Sequence, residues 1–269
     1  MSTEIRAATV ADVPQVVLGG VPVSRLDRAQ TLELLGEWMD AGVPRTIATA
    51  NLDFLEIAHR DEDLHRCLVL ADLVTADGAP LVWLSHWARE PIAERVTGSD
   101  LGPALMEIAA ERGWKVYFLG GQDGVGQEVV DVLTARHPDL QVAGWSEPFI
   151  DLDDEDGCRA AARQVADSGA DLVLVAFGCP KQDLFIERHL HDLGATLAVG
   201  VGGTFNFIAG RISRAPKIIQ ALQLEWVHRM WKEPRRFLPR YWRDALYLLK
   251  LAGSVTRLRP RLTTRRLTR

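Results

Sequence analysis

Asp77 stands in Ala76-Asp77-Gly78-Ala79-Pro80, directly after an apolar run. A carboxylate at that point projects over a sheet edge and can take a proton from a hydroxyl as a general base. Asp-Gly is equally an ordinary turn dipeptide. Thr49 and Asn51 end the preceding apolar run. If the two runs pair, their hydroxyl and amide groups lie beside Asp77 and can orient a sugar; the plainer alternative for Asn51 is a helix cap before Leu52. Arg95, in Glu94-Arg95-Val96-Thr97-Gly98-Ser99-Asp100, precedes an expected helix start capped by Ser99 or Asp100. Its planar fork offers two donors to a phosphate, unless it is only a solvated surface group.

Gly120, Gly121, Gly124 and Gly126 follow one apolar run and open a helical stretch. Backbone N–H groups there can cradle a diphosphate, with Glu147 holding a ribose hydroxyl from the next strand end. The spacing departs from G-x-G-x-x-G, because Val129 stands where the last glycine belongs. Gly202-Gly203-Thr204 repeats the arrangement, with Thr204 expected to cap a helix. Gly178-Cys179-Pro180 is followed by Lys181, Gln182 and Asp183. Gln182 could reach a sugar from that position, and a solvated helix start explains the same residues. Two acidic strings, Asp61-Glu62-Asp63 and Asp151-Leu152-Asp153, have the look of metal-diphosphate sites. Both fall where helices begin, where acidic groups are favoured anyway. The histidines show no ligand spacing, so no metal is expected.

Elements able to position these groups follow from the hydrophobic pattern. Val16 to Leu18, Gly19-Gly20 and Val21 to Val23 read as a hairpin, and Leu26 to Met39 as a helix. Apolar runs at 46–49, 68–75, 115–119, 141–145, 172–176 and 197–201 then alternate with helical stretches, which means βαβ units. The runs are continuous, as in parallel strands covered on both faces. The expected fold is α/β: an open, mostly parallel, Rossmann-like sheet with helices on both faces. Ligands bind such sheets at the carboxyl ends of the strands, where Asn51, Asp77-Gly78, Gly120-Gly121, Gly178-Cys179-Pro180 and Gly202-Gly203-Thr204 fall.

Past Gly210 the character changes, so residues 1–210 are expected to form a catalytic domain and 211–269 an appendage. The appendage carries sixteen Lys or Arg against three acidic residues, a net +13, leaving fifteen basic against thirty-three acidic groups, or −18, in the remainder. Such a basic end meets a polyanion, either a phospholipid surface or nucleic acid. Trp226, Trp231, Tyr241 and Trp242 are interleaved with the cations. Two helices broken near Glu233-Pro234 are expected, with the last dozen residues disordered. No apolar run approaches the roughly 20 residues of a membrane span, and no secretory leader is visible at the N-terminus. Cys67, Cys158 and Cys179 form no CxxC pair, consistent with a reducing cytoplasm.

Taken together, Thr49-Ala50-Asn51, Ala76-Asp77-Gly78, Glu94 to Asp100, Phe118 to Gly121, Phe177 to Asp183, Gly200 to Gly210, Arg214 to Lys217, Leu224-Glu225-Trp226 and Glu233 to Arg236 resemble the WecG/TagA/CpsF glycosyltransferase family, over about residues 15–245. The resemblance implies inverting, metal-independent transfer of an N-acetylmannosamine, its uronic acid or another hexose from a UDP-sugar to a polyprenyl-diphosphate-linked sugar. It implies no cofactor. By it, Asp77 is the base, Thr49, Asn51 and Gln182 contact substrate, and Arg95 steadies the diphosphate. The appendage would bind anionic lipids of the inner leaflet and lend Arg229, Arg235, Arg236 or Arg240 to the lipid diphosphate. Asn206 stands where many members have aspartate, so no charge-dependent role follows there. Two rival readings are a nicotinamide-dependent oxidoreductase built on Gly120-Gly121, disfavoured by the broken glycine spacing, and a nucleic-acid-binding protein using the tail, disfavoured by the acidic remainder.

Overall fold

The computed structural model describes residues 13–212, Pro216, Val227, Met230, Trp231 and 234–255. Strands β1 (Gln15–Leu18) and β2 (Val21–Ser24) form the expected antiparallel hairpin across Gly19-Gly20. Six further strands, β3 (Arg45–Ala50), β4 (Leu73–Ala76), β5 (Lys115–Gly120), β6 (Gln141–Ser146), β7 (Leu172–Ala176) and β8 (Leu197–Gly200), make one all-parallel sheet in the order β4-β3-β8-β7-β5-β6.

Successive strand residues point to opposite faces, and the core divides accordingly. Val116 and Phe118 of β5, with Leu172 and Leu174 of β7, enter one apolar cluster under α1 (Arg28–Ala41), α5 (Gly98–Arg112) and α6 (Val125–Arg136). Tyr117, Leu119, Val173 and Val175 enter another under α7 (Glu155–Ser168) and α8 (Lys181–His189). A third cluster joins the hairpin, Ala50 and Ala76 to α2 (Leu52–Ala58), α3 (Glu62–Leu70) and α4 (Ala79–Trp87). The short α9 (Thr204–Ile208) follows β8. Helix α10 (Pro234–Val255) lies against α2 and α4, with Tyr247 and Leu251 buried in the third cluster. Each such burial contributes about 1.5–3 kcal/mol.

Several local expectations are corrected. The 68–75 run is not one strand: Leu68 packs as part of α3, and Asp72 breaks the run by pairing with Arg45 and accepting from the Thr46 N–H. The first helix starts later, at Arg28, because Asp27 and Gln30 form a reciprocal capping box. Thr97, rather than Ser99 or Asp100, caps α5 by accepting from the Asp100 N–H. Gly203, rather than Thr204, holds the cap position of α9; the Thr204 hydroxyl donates to the Val201 carbonyl instead. β6, at one edge, is only partly covered, whereas β4, at the other edge, is buried beside β2 of the hairpin. Helix α10 does begin at Pro234, whereas most of the expected preceding helix and the last dozen residues lie outside the described residues.

Candidate active site

Parallel pairing aligns Thr49 with Thr75 and Ala50 with Ala76, so Asn51 and Asp77 emerge side by side where β3 and β4 end. The Asp77 N–H extends this ladder by donating to the Ala50 carbonyl at 2.7 Å. The first residue of α5 also approaches, and the Gly98 N–H points at the Asp77 carboxylate, 3.4 Å from Oδ2. Asp77 therefore sits at a helix N-terminus, where a negative charge is stabilised. Asn51 caps α2, accepting from the Phe54 N–H at 3.2 Å, and also faces the cleft. Both readings of Asn51 are thus compatible.

Asp77, Asn51 and Arg95 line one cavity of about 240 Å³. Leu52 and Asp53 of α2 and Gly78 add to it, and facing walls come from α10, through Arg240, Tyr241, Asp244, Ala245 and Leu248, and from Ala79, Pro80 and Trp83 of α4. Arg240 pairs with Asp53 in the first turn of α2 at 3.1 Å. Asp53, Glu56 and Asp244 carry carboxylate oxygens within 4.8 Å of one another. Burial, then the neighbouring Asp53 charge, raises the Asp244 carboxyl to about 7. Burial also raises Asp53, against the pull of Arg240 and Arg243. Sequence reading missed Asp53, Asp244, Tyr241 and Trp83, since each looks like an ordinary residue of an amphipathic helix. Asp53 and Trp83 lie within a few residues of Asn51 and Asp77 in sequence, whereas Tyr241 and Asp244 are brought to the cavity only by the docking of α10.

Other expected site residues occupy the same rim in different roles. Thr49 is buried, and its hydroxyl donates to the Gly200 carbonyl at 3.1 Å, bracing β3 against β8. Gln182 is only 1% exposed. Its Oε1 accepts from the Gly178 N–H at 3.2 Å and the Gly202 N–H at 3.0 Å, tying the loop after β7 to the loop after β8. Burial of Gln182 and Asp183 removes the alternative of a solvated helix start. Asp183 keeps one buried oxygen without a partner among the described residues, and burial raises its carboxyl to about 7. Lys181 donates to the Ile150 carbonyl at 2.6 Å and lies over the Phe149 ring.

The Gly120–Gly121 turn lies at the end of β5, four strand spacings or about 19 Å from β4. Glu147 does meet that turn. Its two oxygens accept from the Gly124 N–H at 2.9 Å and the Gly126 N–H at 2.6 Å, the donors that sequence reading reserved for a phosphate. Arg211 fastens the same segment, pairing with Glu128 and donating to the Gln122 and Asp123 carbonyls. The rim thus divides into a carboxylate and arginine pole at β3–β4, a glycine turn pole at β5–β6, and a Gln182 bridge between them. Of the tail arginines, Arg240 enters the cavity wall and Arg235 is exposed. Arg229 and the Arg236 side chain lie outside the described residues. The acidic strings act as helix starts: Asp61 caps α3, and Asp151 precedes α7.

A Rossmann-like sheet with a carboxylate and arginines in one cleft at its carboxyl rim is an architecture for group transfer, and the chain belongs to the Glycosyl transferase WecG/TagA/CpsF family, which it matches over residues 16–261. It is therefore a glycosyltransferase, and the oxidoreductase reading falls. It is 30% identical to the N-acetylglucosaminyldiphosphoundecaprenol N-acetyl-beta-D-mannosaminyltransferase of Bacillus spizizenii over 218 residues, 81% of either chain. The protein of the same description from Bacillus subtilis is 27% identical over 81% of either chain. That of Staphylococcus aureus is 31% identical over 69% of this chain and 72% of its own. Among the described residues, no helix is long and apolar enough to cross a membrane.

Proposed function

We propose that this glycosyltransferase moves a hexose of the N-acetylmannosamine type from a UDP-sugar to a polyprenyl-diphosphate-linked sugar, with inversion and without a metal. The observation carrying this reading is Asp77, a carboxylate set against the α5 N-terminus in a cavity it shares with Asn51 and Arg95. In a single displacement the acceptor oxygen bonds to the anomeric carbon as the bond to UDP breaks. Asp77 receives the hydroxyl proton, and the diphosphate leaves with the bonding electrons. Arg95 offsets the charge that develops on the leaving group. Thr49, Gln182, Gly178, Gly202, Gly203 and Thr204 shape the middle of the rim. Gly120, Gly121, Glu147 and Lys181 border the end assigned to the nucleotide, where Glu147 would have to release its glycine N–H groups to admit a phosphate.

Residues 1–210 act in this reading as the catalytic unit, and 211–269 as an appendage that rests on anionic lipid at the inner face of the cell membrane. Each basic group near such a surface contributes about 1 kcal/mol. Arg240 and Arg235, with Arg229 and Arg236, are the candidates to meet the lipid diphosphate. The test is transfer from UDP-N-acetylmannosamine to a lipid-diphosphate N-acetylglucosamine by the purified chain, followed by chromatography of the product. Failure with that donor and with UDP-glucose and the uronic acid would reject the assignment.

A further inference from the structure

We infer that the Asp77 cavity continues as an apolar groove between α4 and α10 that holds the first isoprenyl units of the acceptor, a subsite that rests on the lipid-acceptor reading above. Helix α4 starts two residues after Asp77, so its axis leads away from the reacting carboxylate. Leu81, Leu84 and Ser85 bury one of its faces. Pro80, Trp83 and Trp87, spaced i, i+3 and i+7, share another. At about 1.5 Å per residue, Trp83 and Trp87 stand about 7 and about 13 Å beyond Gly78. Both indoles are far from buried, at 47% and 58% exposure. Across from them on α10, Tyr241, Ala245 and Leu248 make the facing stripe, and all three line the cavity together with Pro80 and Trp83.

Polarity is divided across this space. Besides Asp77 and Arg95, the charged lining groups gather on the α2 side, where Arg240 is drawn to Asp53, and α4 supplies only Ala79, Pro80 and Trp83, with no charged group. A ligand that fits both must carry a polar head and an apolar chain in series, which is the chemistry of a prenyl diphosphate sugar. Exposed Ala245 joins the groove stripe to the outward apolar stripe of Leu238, Trp242 and Leu249, which gives a chain an apolar route from the lipid side. The bilayer itself is the other candidate for these indoles, and it would have no reason to be lined up with Asp77.

The test uses the full-length protein without vesicles and N-acetylglucosamine diphosphates carrying one or three isoprenyl units. For the wild type, lengthening the chain lowers the acceptor KM by roughly three- to tenfold per unit while kcat and the donor KM stay level. Trp83→Ala flattens that dependence, and Trp83→Phe restores most of it. Equal KM for both acceptors, or a wild-type dependence retained in Trp83→Ala, would overturn the groove while leaving the transferase reading intact. Chain-length dependence seen only when vesicles are present would assign the indoles to the bilayer instead. No transfer to any lipid diphosphate would defeat both.

Discussion

Arg240 of α10 reaches Asp53 in the first turn of α2, with Nη2 3.1 Å from Oδ2. Through this pair a basic segment remote in sequence becomes one wall of the Asp77 cavity. Removing the arginine takes the paired cation from Asp53, which then faces Asp244 and Glu56, while Glu56 keeps Arg60 at 2.6 Å. Because Arg240 is about one-third exposed, Arg240→Gln is expected to cost about 1–2 kcal/mol, less than a fully buried pair would. Urea unfolding measures this.

Asp77→Asn keeps the size and the contact from Gly98 but cannot accept a proton. Turnover is expected to fall by roughly two to four orders of magnitude, with the melting temperature and UDP affinity close to wild type. A variant retaining full kcat would remove Asp77 from the chemistry.

Gln182→Leu removes the shared acceptor for the Gly178 and Gly202 N–H groups. Both donors are half-buried, so stranding them costs less than the about 1–3 kcal/mol of a fully buried group, to the extent that water reaches them. Gly200→Ala attacks the same joint from the other side, because its Cβ would lie 2.7 Å from Gln182 Nε2. Both variants are expected to melt early, and calorimetry decides.

Stability is expected to decline from pH 5 to pH 8 through Asp244 and Asp183. Burial raises each carboxyl to about 7 in the folded state, whereas an unfolded aspartate titrates near 4. Between those values the folded chain holds a proton that the unfolded chain has lost. This contribution is therefore full at low pH and lost as pH rises through 7. Asp244→Asn should flatten the slope and raise stability at pH 8. An unchanged pH profile of thermal unfolding would refute the assignment.

Leu238, Trp242, Leu246 and Leu249 are exposed along the outward side of α10. Replacing Trp242, Leu246 and Leu249 by serine is expected to weaken sedimentation with anionic vesicles by at least tenfold, since the apolar contact is lost while the charge remains. Undiminished sedimentation would leave the basic residues as the sole anchor.

Legibility in the sequence followed the range of the interactions. The parallel α/β sheet was readable because uninterrupted runs such as Leu172–Ala176 mark strands covered on both faces, and the Gly19-Gly20 hairpin because its turn chemistry is local. The strand-end position of Asp77 was readable because it depends on adjacent residues alone. Where neighbours compete, local reading erred: Thr97 outbid Ser99 as a cap, and Leu68 went to a helix.

By itself, then, the order of residues determined the sheet, the rim on which its strand-end residues gather and the split between an acidic body and a basic end. It did so because hydrophobic period, turn type and charge are properties of neighbouring residues. Only the tertiary structure decided that Gln182 bridges two loops, that Glu147 takes up the glycine N–H groups, and that α10 closes the Asp77 cavity beside Asp53 and Trp83. Those contacts join residues up to some two hundred positions apart, and burial and packing select them with no local trace in either partner.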